Sequence, residues 1–107
     1  MKIAISSTGK DLDSDLDPHF GRCPYFIIVD LETMKFEALD NTGLTAPTGS
    51  GIAAAQLVAS QGVKAVLTGL CGPNASDALW AAGIKVIDGL NGKINDVLAS
   101  YKARRQA

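Results

Sequence analysis

The sequence predicts an α/β fold in which a mixed sheet of five strands carries helices on both of its faces. Short runs rich in β-branched residues indicate strands, and longer alanine-rich or amphipathic segments indicate helices. Strands and helices alternate only in the second part of the chain, which is typical of parallel strands joined by helical crossovers. The chain has 107 residues, of which 47% are hydrophobic and 20% charged, and we expect one compact domain spanning 1–107.

The first part of the chain contains three predicted strands. Residues 2–6 (KIAIS) form an apolar run that is followed by Ser-Ser-Thr-Gly, so a strand leads into a loop that extends to Cys23. Residues 25–30 (YFIIVD) and 35–41 (KFEALDN) are β-prone runs separated by the short segment LETM. A connection this short predicts a hairpin, and these two strands are therefore expected to be antiparallel.

From residue 48 onward, helices and strands are predicted to alternate. The first helix stops at Gly62, and the second has Pro73 in its first turn and stops at Gly83, which are common features of helix termini. The last helix carries apolar residues at i, i+3, i+4 and i+7 counted from Ile94, an amphipathic pattern. The predicted elements are helix 48–62, strand 63–69, helix 72–83, strand 84–88 and helix 93–103.

This order of elements restricts the topology of the sheet. Right-handed crossovers and an antiparallel second strand favour the order 3-2-1-4-5, which is the ribonuclease H-like arrangement with three layers, α/β/α. A flavodoxin-like sheet is the alternative. In either fold, the loops after the parallel strands meet at the carboxyl edge of the sheet, where ligands bind in α/β proteins.

Composition and charge exclude several classes of function. Ten Lys and Arg against eleven Asp and Glu give a net charge of -1 without a basic stripe, so we expect no binding of nucleic acid. No apolar stretch approaches the roughly 18 residues of a membrane span, and the N-terminal segment is too short for a signal-peptide core. We expect a cytoplasmic protein without membrane contact, whose two cysteines are free thiols, metal ligands or redox groups.

The segment DPHFGRCPYF, residues 17–26, contains the only histidine and one of the two cysteines. Its prolines and glycine prevent a continuous helix, so His19, Arg22 and Cys23 are presented from a bent segment. The turn that contains Cys71 follows the fourth strand and is expected at the same sheet edge. Thiolate and imidazole are ligands of iron–sulfur and related clusters, although free cysteines are also often simply buried.

Two glycine-rich turns, TGSG at 48–51 and TGLCGPN at 68–74, each precede a predicted helix. Backbone N–H groups at a helix N-terminus attract anions, which makes Ser50, Gly72 and Asn74 candidate binding residues. Neither turn matches a phosphate-binding P-loop or a dinucleotide fingerprint, and each can also be an ordinary strand-to-helix connection. Two soft ligands, an arginine and these two helix N-termini together favour an anionic cluster over a bare divalent cation.

The sequence argues against catalysis. A ribonuclease H-type nuclease requires a carboxylate in the middle of the first strand, and KIAIS has none. Cys23 and His19 lack an obvious third group that would orient the imidazole for nucleophilic chemistry. The alternating acids of DLDSDLDP do not form a calcium loop, because Leu16 stands where that loop needs a glycine. We expect that the protein is not an enzyme.

The chain resembles the dinitrogenase iron–molybdenum cofactor biosynthesis family, the NifX-like proteins. The resemblance spans essentially the whole chain and rests on four segments in the same order: ISSTGKDLDSDLDPHFGRCPYFIIVD, TGSGIAAAQL, GVKAVLTGLCGPNASDAL and AAGIKVIDGLNGKINDVLASY. Many stand-alone members carry Arg before FG, whereas the HFG of this chain is similar to dedicated nitrogenase cofactor carriers.

The resemblance implies a ribonuclease H-like domain that binds an iron–sulfur or iron–molybdenum cluster and passes it between metallocluster donor and acceptor proteins. His19 of HFG and Cys23 of GRC become the expected metal ligands. A regulatory or scaffold domain that binds a small anion or a partner protein through the same edge is the alternative. The expected cofactor-binding residues are His19, Arg22, Cys23, Ser50, Cys71, Gly72 and Asn74.

Overall fold

The computed structural model describes residues 1–44 and 48–106 and contains a five-stranded sheet with helices on both faces. The strand order is β3-β2-β1-β4-β5, with β2 antiparallel to both neighbours and the pairs β1–β4 and β4–β5 parallel. The predicted α/β class, the ribonuclease H-like order and the antiparallel second strand are confirmed. The elements are β1 (Lys2–Ser7), β2 (Tyr25–Asp30), β3 (Phe36–Asp40), α1 (Ser50–Ala59), β4 (Val63–Leu67), α2 (Pro73–Ala81), β5 (Lys85–Ile87) and α3 (Ile94–Gln106).

Two apolar cores lie on opposite faces of the sheet, because side chains alternate across each strand. On one face, Ala4 of β1 packs in the same cluster as Val58 of α1 and Leu79 of α2. On the other face, Ile5 of β1 packs in a cluster with Leu98 of α3. The central strand therefore joins both layers. None of the helices, within the part of the chain that the structure describes, is long and apolar enough to cross a membrane.

The helix boundaries differ from the predicted ones by a few residues at the glycines. Gly62 and Gly83 have positive φ angles of 73° and 78°, and their N–H groups donate to the carbonyls of Ala59 and Trp80 in turns after the helices. The regular helices therefore end before these glycines. At the end of the chain, α3 continues past residue 103 to Gln106.

Candidate functional site

An open groove of about 340 Å³ lies at the carboxyl edge of the sheet, between the loop after β1 and the first turns of α1 and α2. Of the seven residues predicted from the sequence, His19, Ser50, Gly72 and Asn74 line this groove. The structure therefore brings together four of the seven, which come from three separate segments of the chain.

The loop after β1 is attached to the turn after β4 by a short parallel ladder. The Leu70 N–H donates to the Pro18 carbonyl at 2.6 Å, and the Phe20 N–H donates to the Leu70 carbonyl at 3.1 Å. Phe20 is buried, and its ring lies 5.2 Å from that of Phe26, measured between centroids. These contacts dock the loop on the sheet.

Two buried hydroxyl groups reinforce this attachment at the ends of β1 and β4. The Ser6 hydroxyl donates to the carbonyl of Asp17 at 2.7 Å, and the Ser6 and Thr68 hydroxyl oxygens lie 2.7 Å apart. Both side chains are fully buried, and the Thr68 hydroxyl, placed to donate to the Ser6 oxygen, is satisfied by this contact. The beginning of the segment 17–23 is thereby fixed to the two central strands.

Close backbone contacts also define the shape of the groove. A Cβ atom added to Gly21 would lie 3.0 Å from the backbone N and Cα of Gly51, and one added to Gly51 would lie 3.2 Å from the Cβ of Ala75. A Cβ added to Gly69 would lie 2.7 Å from the Cα of Pro18. Glycine at these positions lets the loop, α1 and α2 approach one another closely enough to enclose one groove.

Both helices present uncapped N-termini to the groove. The N-cap residues are Gly49 and Gly72, neither helix start has a side-chain cap, and neither first turn contains an acidic residue. The N–H groups of Ala53 and Ser76 donate to the carbonyls of Gly49 and Gly72, and the amides before them have no partner within their helix. Two positive helix ends therefore face one groove, a favourable arrangement for an anion.

His19 stands at the rim of the groove. Its side chain is 64% exposed, its backbone N–H donates to the Asp17 carboxylate at 2.9 Å, and its Nδ1 lies 3.8 Å from Oδ1 of Asp17. A carboxylate close to one ring nitrogen helps to orient an imidazole, and the other nitrogen can then serve as a metal ligand. His19 is therefore accessible to a ligand in the groove.

Cys23 does not line the groove. Its side chain is fully buried in the core between the sheet and α1, and its thiol donates to the Phe20 carbonyl at 3.4 Å. Burial, followed by the negative charge of Asp17, raises the pKa of Cys23 from 9.0 to about 12. At neutral pH the thiol is protonated, and in this conformation it is not available as a metal ligand.

Arg22 and Cys71 also lie outside the groove lining. The Arg22 guanidinium is exposed and donates to the Leu44 carbonyl at 2.9 Å. Cys71 is half-buried against the core on the α1–α2 side of the sheet, and burial raises the pKa of its thiol. The expected convergence of both sulfur atoms with His19 on one cluster is therefore not seen in this conformation.

No group of three or more His, Cys, Asp or Glu side chains able to hold a metal ion occurs in residues 1–44 and 48–106. A closed metal centre made from several side chains is therefore absent from that part of the chain. The groove instead offers one imidazole, a hydroxyl, a carboxamide and backbone N–H groups, a set that suits an anion already carrying its own inorganic ligands.

Leu70 is a further groove residue, which the sequence motifs did not indicate: it is 63% exposed and lines the groove beside His19. The two residues form an isolated parallel bridge. The sequence does contain a signal for Leu70: an apolar residue stands in the turn between a buried strand and the glycine-proline start of a helix. Gly21 and Gly51 were also missed, because the need for glycine arises from contacts between distant segments.

Comparison with known proteins identifies the family. Residues 1–104 match the family model described as dinitrogenase iron-molybdenum cofactor. The chain belongs to this family. Family membership associates it with the assembly of the iron–molybdenum cofactor.

Several known proteins are similar to this chain in sequence, and two of them are solved structures with the same fold. The chain is 40% identical to the apo form of the orange protein from Desulfovibrio gigas, with a TM-score of 0.94 over 97% of this chain and 88% of that chain. It is 35% identical to a putative NifB protein from Thermotoga, with a TM-score of 0.84 over 97% of this chain and 89% of that chain. An uncharacterized protein from Methanocaldococcus jannaschii is 33% identical over 90 residues, which are 80% of this chain and 76% of that protein.

Proposed function

We propose that this protein is a carrier for a preassembled, anionic metal cluster of the iron–sulfur or iron–molybdenum type, and that it is not an enzyme. The observation that supports this most strongly is the convergence of two uncapped helix N-termini on one open groove beside His19. The cluster is the cargo, received from and delivered to metallocluster donor and acceptor proteins in the cytoplasm.

The proposed contacts follow from the chemistry of the lining. The N–H groups in the first turns of α1 and α2, the Ser50 hydroxyl and the Asn74 carboxamide donate hydrogen bonds to the sulfur or oxygen atoms of the cluster. The imidazole of His19 coordinates a metal atom at the cluster surface. The start of α2 is open at Gly72. A Cβ atom added at this position would project into empty space, with no other part of the protein within 4 Å.

The two cysteines and Arg22 have a different place in this proposal. The buried side chain of Cys23 anchors the end of the loop after β1 to the core. Cys23 would bind metal only in a conformation in which the segment 17–23 leaves the core. Arg22 follows the groove-lining Gly21 in the chain and contributes positive charge there, and Cys71 supports the turn before α2. A cargo held through hydrogen bonds and one imidazole can leave the groove without exchange of several thiolate bonds, which suits delivery to another protein.

The proposal is tested by anaerobic incubation with iron and sulfide, with and without molybdate, followed by gel filtration and measurement of retained metal and visible absorption. In Asn74→Asp, a carboxylate replaces the amide with almost no change of shape, at a helix start where a negative charge favours the helix. We expect retained metal to fall about tenfold, because two like charges about 5 Å apart near a surface repel by about 1–3 kcal/mol.

The matched control is Gln56→Glu, the same change of chemistry on the exposed surface of α1 away from the groove. It should retain as much metal as the unmodified protein. Equal metal retention by Asn74→Asp and Gln56→Glu would refute the groove as the cluster site. Retention of phosphate or sulfate in the groove without any retention of metal would favour the alternative, a regulatory domain that binds a small anion.

A further inference from the structure

A second concave surface lies on the face of the sheet that carries α3. Two depressions of about 150 Å³ and 370 Å³ share Ile87, Tyr101 and Arg104, so they are continuous along the line between α3 and the edge strand β5. We call this surface the α3–β5 groove. Its lining residues are Met1, Lys64, Ala65, Leu67, Lys85, Ile87, Leu90, Asn91, Asp96, Val97, Ser100, Tyr101, Arg104 and Arg105.

One end of the α3–β5 groove is strongly basic. Lys64 and Lys85 extend from the starts of β4 and β5, and Arg104 and Arg105 come from the last turns of α3. None of these four side chains forms an ion pair with any residue of the described ranges. The acidic residue of the lining, Asp96, lies about two helical turns before Arg104 and thus away from this end.

The other end of the groove combines apolar and polar side chains. Ile87, Leu90 and Val97 give it an apolar floor, and Asn91, Asp96 and Ser100 also belong to its lining. The strand β5 has only three residues and is the last strand of the sheet, so its outer edge is not paired with another strand of the described chain. An unpaired strand edge next to an apolar depression can accept an extended peptide, which adds backbone hydrogen bonds to side-chain contacts.

We propose that the α3–β5 groove binds an extended acidic segment of a partner protein that carries an apolar side chain. The four cations would face its carboxylates, and the apolar floor would accept the hydrophobic side chain. The basic end lies at the starts of the parallel strands, whereas the groove beside His19 lies at their carboxyl ends. A partner bound here therefore leaves that groove open, and the inference does not depend on the cluster proposal.

Titration of the isotope-labelled, metal-free protein tests this inference. The probe is a short synthetic peptide of glutamates with one central leucine, compared with the same peptide carrying lysines, and binding is followed by amide chemical shifts. We expect shifts in β5 and α3 with the acidic peptide only. Lys85→Glu and Arg104→Glu should each raise the Kd about tenfold, and high salt should weaken binding.

Lys35→Glu is the matched control, because it changes the net charge equally at the β2–β3 turn, outside the α3–β5 groove. It should leave the Kd within about twofold of the unmodified value. Equal binding of the basic peptide, or shifts confined to another surface, would overturn the proposal. Self-association that depends on protein concentration and is lost in Asp13→Lys would also overturn the proposal. The groove would then be occupied by the acidic segment 11–18 of a second copy.

Discussion

The burial of Cys23 predicts a specific pH dependence of stability. The pKa of this thiol is about 12 in the fold, against an ordinary value of 9.0. In the unfolded chain the thiol loses its proton near the ordinary value, so ionisation there favours unfolding. The stabilisation is therefore complete below pH 9 and is lost as the pH rises from 9 toward 12.

The size of this effect follows from the two pKa values. The full loss between them amounts to about 4 kcal/mol, and at about pH 10 the loss is about 1.4 kcal/mol. In Cys23→Ala the titrating group is absent. Removal of the buried sulfur atom should cost about 1 kcal/mol at neutral pH, and this deficit relative to the unmodified protein should disappear or reverse near pH 10.

Urea unfolding under reducing conditions, at several values from about pH 7 to about pH 10, measures this difference directly. Subtraction of the two free energies of unfolding removes the contributions of tyrosines and lysines that both proteins share. Cys71→Ala is the control, and it should show a smaller change with pH because Cys71 is only half-buried.

A constant difference between Cys23→Ala and the unmodified protein across this pH range would refute the reasoning. It would mean that the thiol ionises as easily in the fold as in the unfolded chain. The thiolate would then be available in the folded protein, and Cys23 would return to the list of expected metal ligands.

Three further substitutions separate large from small effects on the free energy of unfolding, each measured by urea denaturation. Gly69→Ala should cost about 1–3 kcal/mol, because the new Cβ would lie 2.7 Å from the Cα of Pro18 and both backbones are held by hydrogen bonds; a neutral result would show that the loop can shift. Leu79→Ala, at a fully buried site between α2 and the sheet, should cost about 2–5 kcal/mol. Lys93→Ala should cost less than about 1 kcal/mol, because its ion pair with Asp15 at 3.5 Å is exposed; a larger loss would show that the lysine clamps the acidic loop.

The fold could be predicted because its determinants are local sequence patterns that occur in several elements of the chain. Strand β2 is a six-residue run of mainly β-branched and aromatic residues, and the segment before β3 is too short for a crossover. Gly62 and Gly83 gave the approximate helix ends. The exact last helical residues could not be predicted, because a glycine in a left-handed conformation follows a turn whose length the sequence pattern does not specify.

The candidate site could be predicted in position but not in the orientation of its side chains. The rule that carboxyl ends of parallel strands share an edge correctly brought the turns before α1 and α2 to the segment that contains His19. The same rule does not predict whether a side chain of the loop faces the core or the groove. Cys23 is four residues after His19, yet it faces the core while His19 faces solvent.

The orientation of Cys23 depends on contacts that are distant in the sequence. The carboxamide of Asn41 donates to the backbone carbonyl of Cys23 at 2.8 Å, and its nitrogen lies 3.9 Å from the sulfur atom. Phe20 fills the core beside the thiol and supplies the carbonyl that accepts from it. The motif HFGRC is therefore compatible with either a structural or a metal-binding cysteine. Only the packing around residue 41 distinguishes these two roles.

The buried thiol and the two open helix starts are both consistent with the proposed carrier function. A thiolate exposed in the groove would bind many soft metal ions, including those that are not cargo. With Cys23 buried and protonated, affinity in the proposed carrier would rest on shape and on N–H groups that favour an anion. The close contacts of Gly21 with α1 and of α1 with α2 shape the groove, so under the proposed function these glycines would influence which cluster fits.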